Sequence, residues 1–295
     1  MVTGESILYL NGEYVPAATA TVSVDDRGFL FADGCYEVTL VVEGSCIALD
    51  RHLARLQRGL DELRIDLDTS SLVSIHHELI ERNALGGHRF SSVYVQVTRG
   101  VAPRSHAFPA DASPTVLVRA APIEGPTEAT LVAGTRAITA PDQRWARVDI
   151  KTTGLLPNVL AQQAAVEAGV EDVILHRDGV VTEGSHTNVY GSIGGVIVTA
   201  PADHRILAGV TRGIVFELAA ADGLRVEERD WTVEELAGAD EVFMSSTTAG
   251  VRPIVQVDGH PVGTGVRGPV TELLQQRYGA YVDEQLGHGV ATSAK

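Results

Sequence analysis

The chain has 295 residues, a formal net charge of −15, 44% hydrophobic and 21% charged residues. That describes a soluble globular protein with an ample core and argues against nucleic acid or an anionic membrane as partner. No apolar run approaches the ~20 residues needed to span a bilayer. The opening MVTGESILYLNGEYVP lacks the pattern of a signal peptide. Two cysteines, Cys35 and Cys46, are too few for a disulfide framework or a zinc site and fit a reducing, cytoplasmic setting.

Ile7 to Leu10, the Asn11-Gly12 turn and Glu13 to Val15 read as a hairpin, followed by a short strand over 21–24. GCYEVTLVV, from Gly34 to Val42, is a strand with a turn at Glu43-Gly44 and a return over 46–49. Asp50 is the expected cap of a helix carrying Leu53, Leu56, Leu60 and Leu63 at helical spacing. A second helix is predicted over 71–83, strands over 90–99 and 115–120, and a proline-rich loop over 100–114. The segment 122–126 holds two prolines and a glycine and reads as a linker between a small domain, 1–121, and a larger one, 127–295. The larger half is expected to have strands near 130–138 and 147–152, a helix over 158–168 and a hairpin over 173–182. Strands at 188–190 and 196–199 follow, then helices near 212–222 and 232–238, the second with a Thr232…Glu235 capping box. A strand over 241–245 and a helix over 267–285 close the pattern, with 287–295 frayed. Strands and helices mix in both halves, so the fold class is α/β or α+β. There are no internal repeats, no dinucleotide-binding glycine motif and no P-loop.

Lysine occurs only at positions 151 and 295, so nearly all of the 23 Lys+Arg are arginine. A lysine amine can lose its proton and attack a carbonyl, which a guanidinium cannot. Lys151 is therefore a candidate imine-forming lysine, against the plain alternative of a lysine-poor composition. Glu183, beside Gly184, is either an exposed loop charge or a carboxylate that keeps a pyridine nitrogen protonated. Thr211 reads as the cap of a helix whose first N–H groups can bind an anion. Ser245-Ser246-Thr247-Thr248, directly after a strand, is either a solvated turn or a phosphate site. Arg55 is a surface arginine or a phosphate clamp. Arg104 and His106, two residues apart, are solvated or face one carboxylate, and Tyr36 is a packed ring by default.

In combination, DRGFLFADGCYEV (26–38), HLARL (52–56), QVTRGVAPRSHAFP (96–109), RWARVDIKTTGLLPNVLAQQ (144–163), VTEGSHTNVYG (181–191), ILAGVTR (206–212) and MSSTTAGVRP (244–253) resemble the class IV aminotransferases, the fold-type IV pyridoxal-phosphate enzymes. Within that family the chain is most similar to D-amino-acid aminotransferases. The resemblance covers nearly the whole chain and implies a two-domain fold with a barrel-like larger domain. It implies pyridoxal 5′-phosphate held covalently by Lys151, with Glu183 at the pyridine nitrogen and Leu207 against the ring face. Arg55, Val210, Thr211 and Thr247 would hold the phosphate. Tyr36, Arg104, His106 and Thr248 would bind the substrate, the Arg and His coming from the partner subunit of a homodimer. The implied reaction is ping-pong transfer from a D-amino acid to a 2-oxo acid. Branched-chain L-aminotransferases, (R)-selective amine transaminases and aminodeoxychorismate lyases share the fold. His186, Gly250 and Arg252 depart from the usual pattern, which bears on substrate range and not on the cofactor.

Overall fold

The computed structural model describes residues 6–289. The chain packs as two compact units. One contains the residues up to Gly125, Ile150–Gly154 and those from Gln285 onward; the other contains Pro126–Asp149 and Leu155–Glu284. Ile150–Gly154 thus pack with the first unit although they lie well past the proline-rich segment.

In the first unit, β1 (Ile7–Leu10), β2 (Glu13–Pro16), β3 (Gly34–Val42), β4 (Ser45–Cys46), β5 (Phe90–Thr98) and β6 (Thr115–Pro122) form one antiparallel sheet in the order β2-β1-β6-β5-β3-β4. The β-branched residues of β3 and β5 pair without interruption, from Gly34↔Thr98 to Val42↔Phe90. Helices α1 (Arg27–Phe31), α2 (Leu49–Leu63) and α3 (Leu72–Arg82) complete the unit. Leu53, Leu56 and Leu60 of α2 pack with Ile75 and Leu79 of α3 and with Val93, Val95 and Val97 of β5. Emptying the fully buried Leu56 to Ala would cost about 2–5 kcal/mol. β4 covers only Val41 and Val42, leaving the Gly34 end of β3 without a strand partner on that side. Residues 151–153 fill that edge: Tyr36 N–H donates to Lys151 O at 3.0 Å and Thr153 N–H to Gly34 O at 3.0 Å.

Three expectations in this unit are corrected. Residues 21–24 form no strand; Val22 and Val24 stay exposed and reach no sheet edge. The return over 46–49 stops at Cys46, because Leu49 already opens α2. Asp50 lies inside the first turn of α2, and the cap is Ala48, with φ 50° and no side-chain bond. Asp50 therefore acts on the helix dipole and not as a cap.

The second unit holds β7 (Thr135–Pro141), β8 (Asp172–Arg177), β9 (Val180–Gly184), β10 (Asn188–Ile193), β11 (Val196–Thr199), β12 (Arg225–Glu228), β13 (Glu241–Ser246), β14 (Gly250–Val257) and β15 (His260–Pro261). Eight run in the order β12-β11-β10-β13-β14-β7-β8-β9, and β15 pairs with β14. The two ends of this sheet approach each other through the chain after β12. Val181 N–H donates to Trp231 O at 2.9 Å and Val233 N–H to Gly179 O at 2.9 Å. The sheet is therefore curled and barrel-like, and Trp231, fully buried, packs inside it with Val181, Val189, Val198, Met244 and Ile254.

Helices α4 (Glu128–Ala133), α5 (Leu156–Glu167), α6 (Val210–Ala221) and α7 (Val233–Ala237) belong to this unit, as does most of α8 (Pro269–Gly289). The Thr232–Glu235 capping box forms as expected. Residues 130–133 are helical and not strand, because Thr127 and Thr130 build a second capping box. Residues 147–152 are not a strand either; they run through turns with one bridge, Cys35↔Thr152. Helix α8 extends to Gly289, past the expected end, and residues 290–295 lie outside those described.

Candidate active site

Each unit carries one set of the implicated residues. In the first unit Lys151 is half-buried and its Nζ lies 4.2 Å from the centroid of the Tyr36 ring. Tyr36 stacks in turn on Tyr94, centroids 5.6 Å apart. Among the described residues no carboxylate pairs with Lys151, whereas most of the arginines have one. An ammonium held against an aromatic face without a counter-ion gives up no ion pair to become a neutral nucleophile.

Arg55 on α2 does not point to open solvent. Its Nε and Nη2 grip both oxygens of Glu37 at 2.9 and 2.7 Å, and His52 Nδ1 lies 3.1 Å from the same carboxylate. Burial acts to raise the Glu37 carboxyl, but Arg55 and His52 outweigh it and hold it well below the usual range. Arg104 and His106 are exposed and flank one ring, with the Arg104 guanidinium 5.2 Å and the His106 ring 5.4 Å from Phe31.

In the second unit Glu183 lies near the end of β9 and is buried. Its carboxylate takes the Arg144 guanidinium on one oxygen; Asn188 Nδ2 at 2.9 Å and Leu207 N–H at 3.1 Å donate to the other. Burial pushes the Glu183 carboxyl up, with Arg144 opposing. Arg144 is itself held by Asp142, whose side chain is fully buried, at 2.8 Å. Asn188 also donates to Leu207 O at 2.9 Å, tying the segment before α6 to the end of β9. A side chain at Gly209 would place its Cβ 2.1 Å from Asn188 Oδ1 and would displace the amide that holds Glu183.

Gly209, not Thr211, is the N-cap of α6; Thr211 is the second helical residue and is buried. The correction moves the cap, while the amides of Val210 and Thr211 remain in the first turn, where no intrahelical acceptor exists. The hydroxyl run is not uniform. Ser245 is buried and bonded to the Tyr190 hydroxyl at 2.8 Å, and Ser246 accepts from Ala249 N–H at 3.3 Å. Thr247 and Thr248 form the half-buried turn between β13 and β14. His186 is exposed, and its Nδ1 lies 2.7 Å from Ser185 Oγ; the Arg252 Nε is buried without a partner among the described residues.

The sequence reading missed Glu37, His52, Arg144, Asp142 and Asn188. All of these but Asp142 stand in the quoted motifs, but their only signal is that a charged or amide residue so close to an apolar strand needs a buried partner.

The donor groups fit a phosphorylated pyridine aldehyde. The first unit offers an amine with no carboxylate partner among the described residues; the second offers a buried carboxylate oriented by an arginine and an amide, first-turn N–H groups and half-buried hydroxyls. The family description "Amino-transferase class IV" matches residues 34–257. The chain belongs to the class IV aminotransferases. Its sequence is 43% identical to the D-alanine aminotransferase of Bacillus licheniformis, over 90% of this chain and 93% of that one. It is 38% identical to that of Staphylococcus haemolyticus, over 94% and 98%. Among solved structures, the Escherichia coli branched-chain amino acid aminotransferase superposes with a TM-score of 0.88 at 26% identity, covering 94% of both chains. The T.th. branched-chain enzyme solved with pyridoxamine 5′-phosphate gives 0.86 at 27%, covering 96% of this chain and 95% of that one. The fold is that of the fold-type IV enzymes, and the cofactor of this family is pyridoxal 5′-phosphate.

Proposed function

We propose that the chain transfers an amino group from a D-amino acid, D-alanine or D-glutamate among them, to a 2-oxo acid such as pyruvate or 2-oxoglutarate, in ping-pong order. The observation that carries this reading is Lys151, an amine with no carboxylate partner among the described residues, in a chain whose only other lysine is Lys295. The similarity to two D-alanine aminotransferases supports the hand of the substrate.

Bound pyridoxal phosphate supplies a covalent link to the substrate amine and a ring that accepts electrons from the substrate Cα. Lys151 would hold the aldehyde, and its released amine would take the proton from the substrate Cα and deliver it to the carbon that bore the aldehyde. Glu183 would face the pyridine nitrogen and keep it protonated; Arg144, Asn188 and the Leu207 amide fix the carboxylate for that task. Leu207 would lie against the ring. Arg55, the Val210 and Thr211 amides and the Thr247 hydroxyl hold the phosphate, so a non-reacting group orients the reacting one. Tyr36, Arg104, His106 and Thr248 bind the substrate, its α-carboxylate above all.

The working assembly is a homodimer, with Arg104 and His106 donated to the partner's site. Two exposed apolar groups support this. Phe29, on the short helix that also carries Arg27 and Phe31, is 77% exposed, and Leu156, Val159 and Leu160 form one exposed stripe on α5. The setting is cytoplasmic, supported by two free thiols, Cys35 and Cys46. No described helix is long and apolar enough to cross a membrane.

The structural likeness to branched-chain aminotransferases favours L-branched-chain amino acids as the second reading. Absorbance spectra of the holoenzyme separate the two. Loss of the lysine-bound cofactor band with D-alanine but not L-alanine or L-leucine is expected; the reverse selectivity overturns the D-amino-acid reading.

A further inference from the structure

Residues 102–114, which carry Arg104 and His106, belong to no strand or helix. Among the described residues, no backbone hydrogen bond ties 103–113 to the rest of the unit. Two buried arginines hold this loop instead: Arg99, whose guanidinium lies 3.6 Å from the centroid of the Phe108 ring, and Arg27, which reaches its backbone. Arg27, 3% exposed, donates from Nη1 to Ser105 O at 2.5 Å, and its terminal nitrogens lie 3.4 Å from Ala107 O and 3.5 Å from His106 O. The opposite edge of the same guanidinium is fixed, with Nε donating to Asp33 Oδ2 at 2.8 Å. Asp33 is in turn gripped by Arg99, at 2.8 and 3.0 Å. Arg99 also donates to the carbonyls of Leu63 and Arg64 at the end of α2, at 2.7 and 3.1 Å. Burial works to raise the Asp33 carboxyl, but the bonds from Arg99 and Arg27 keep it below its ordinary value, so it is a fixed anion.

We infer that Asp33 and Arg27 are positioning residues for substrate carboxylate binding: Asp33 orients the Arg27 guanidinium, whose far edge sets the 105–107 backbone and hence the directions of Arg104 and His106. Phe31 completes the device, with the Arg27 guanidinium 4.9 Å and that of Arg104 5.2 Å from its ring. A planar fork can hold a carboxylate on one edge and carbonyls on the other; a lysine, a single point of charge, cannot do both. The inference rests on reading Arg104 and His106 as the carboxylate-binding pair.

The test compares wild-type holoenzyme with Arg27→Lys, Asp33→Asn and Arg104→Ala. Steady-state KM and kcat are measured for D-alanine with 2-oxoglutarate. The single-turnover rate is measured with (R)-1-phenylethylamine, which has no carboxylate. Amide hydrogen exchange is followed over 103–108. Arg27→Lys and Asp33→Asn are expected to raise KM for D-alanine about tenfold with kcat within about twofold, to leave the amine rate unchanged and to speed exchange in the loop. Unchanged KM and exchange, or equal losses on both substrates, overturns the inference. If Asp33→Asn gives no cooperative melt, Arg27→Lys decides alone. Arg104→Ala separates the two layers. If it shifts carboxylate selectivity while Arg27→Lys does not, only the positioning role falls; if neither does, the reading of the pair falls.

Discussion

The Lys151 ammonium lies 4.2 Å from the centre of the Tyr36 ring, and the main chains of the same two residues are joined by the Tyr36 N–H to Lys151 O bond at 3.0 Å. The amine is thus aimed twice, by a strand edge that fixes its backbone and by an aromatic face that receives its head group. A cation on such a face gains roughly 0.5–2 kcal/mol, less than a buried ion pair would hold it by. The arrangement directs the amine.

Lys151→Ala is expected to lower kcat by at least about a thousandfold while the fold is retained, because the half-buried side chain makes no ion pair that folding depends on. Transamination rate and far-ultraviolet circular dichroism check this together; a variant with near-normal turnover contradicts it.

Arg144→Met is expected to cost about 3–5 kcal/mol of stability, since it leaves the buried Glu183 without its cationic partner and Asp142 with Arg177 alone. Urea unfolding measures it. A change of under about 1 kcal/mol would mean that water replaces the guanidinium, which the burial of all three groups argues against.

The structure was legible in its sequence where local pattern and long-range partner agree. Gly34–Val42 is a strand because its β-branched run meets an equally long run, Phe90–Thr98. Residues 147–152 also carry β-branched residues, Val148, Ile150 and Thr152, but find one bridge only, so they run through turns. The cap of α6 was misplaced by two residues because Thr211 has the favoured side chain while Gly209 has the extended backbone and the room beside Asn188. Lys151 stood out because arginine serves nearly everywhere else. Glu37 was invisible because its importance lies in Arg55 and His52, which reach it only after α2 docks on the sheet. Arg144 was overlooked for the same reason, its partner Glu183 being 39 positions away.

His76 makes stability depend on pH below neutrality. It is fully buried, its Nδ1 lies 2.7 Å from Leu72 O, and burial pulls it down to about 4 against that bond. A base depressed on folding binds more protons when unfolded, so its stability contribution is complete above the ordinary histidine value of ~6.5 and is lost as pH falls through about 4. The loss across that window is on the order of 3 kcal/mol. Urea titrations at several pH values should show His76→Gln with a flatter decline than wild type; parallel curves contradict the assignment.

Cys35 and Cys46 are both pushed up to about 12 by burial. Neither thiol should react with iodoacetamide at pH ~8 in the folded protein, and both should after unfolding. Mass spectrometry counts the adducts; rapid native-state labelling of the buried Cys35, or labelling of the half-buried Cys46 as fast as in the unfolded chain, contradicts the expectation.

The central claim is that Lys151 carries the cofactor, and a chain with lysine only at 151 and 295 allows a direct answer. Holoenzyme is reduced with borohydride, digested and mapped by mass spectrometry. The account predicts a reduced phosphopyridoxyl group on Lys151. A label on Lys295 alone, or on no lysine, contradicts it.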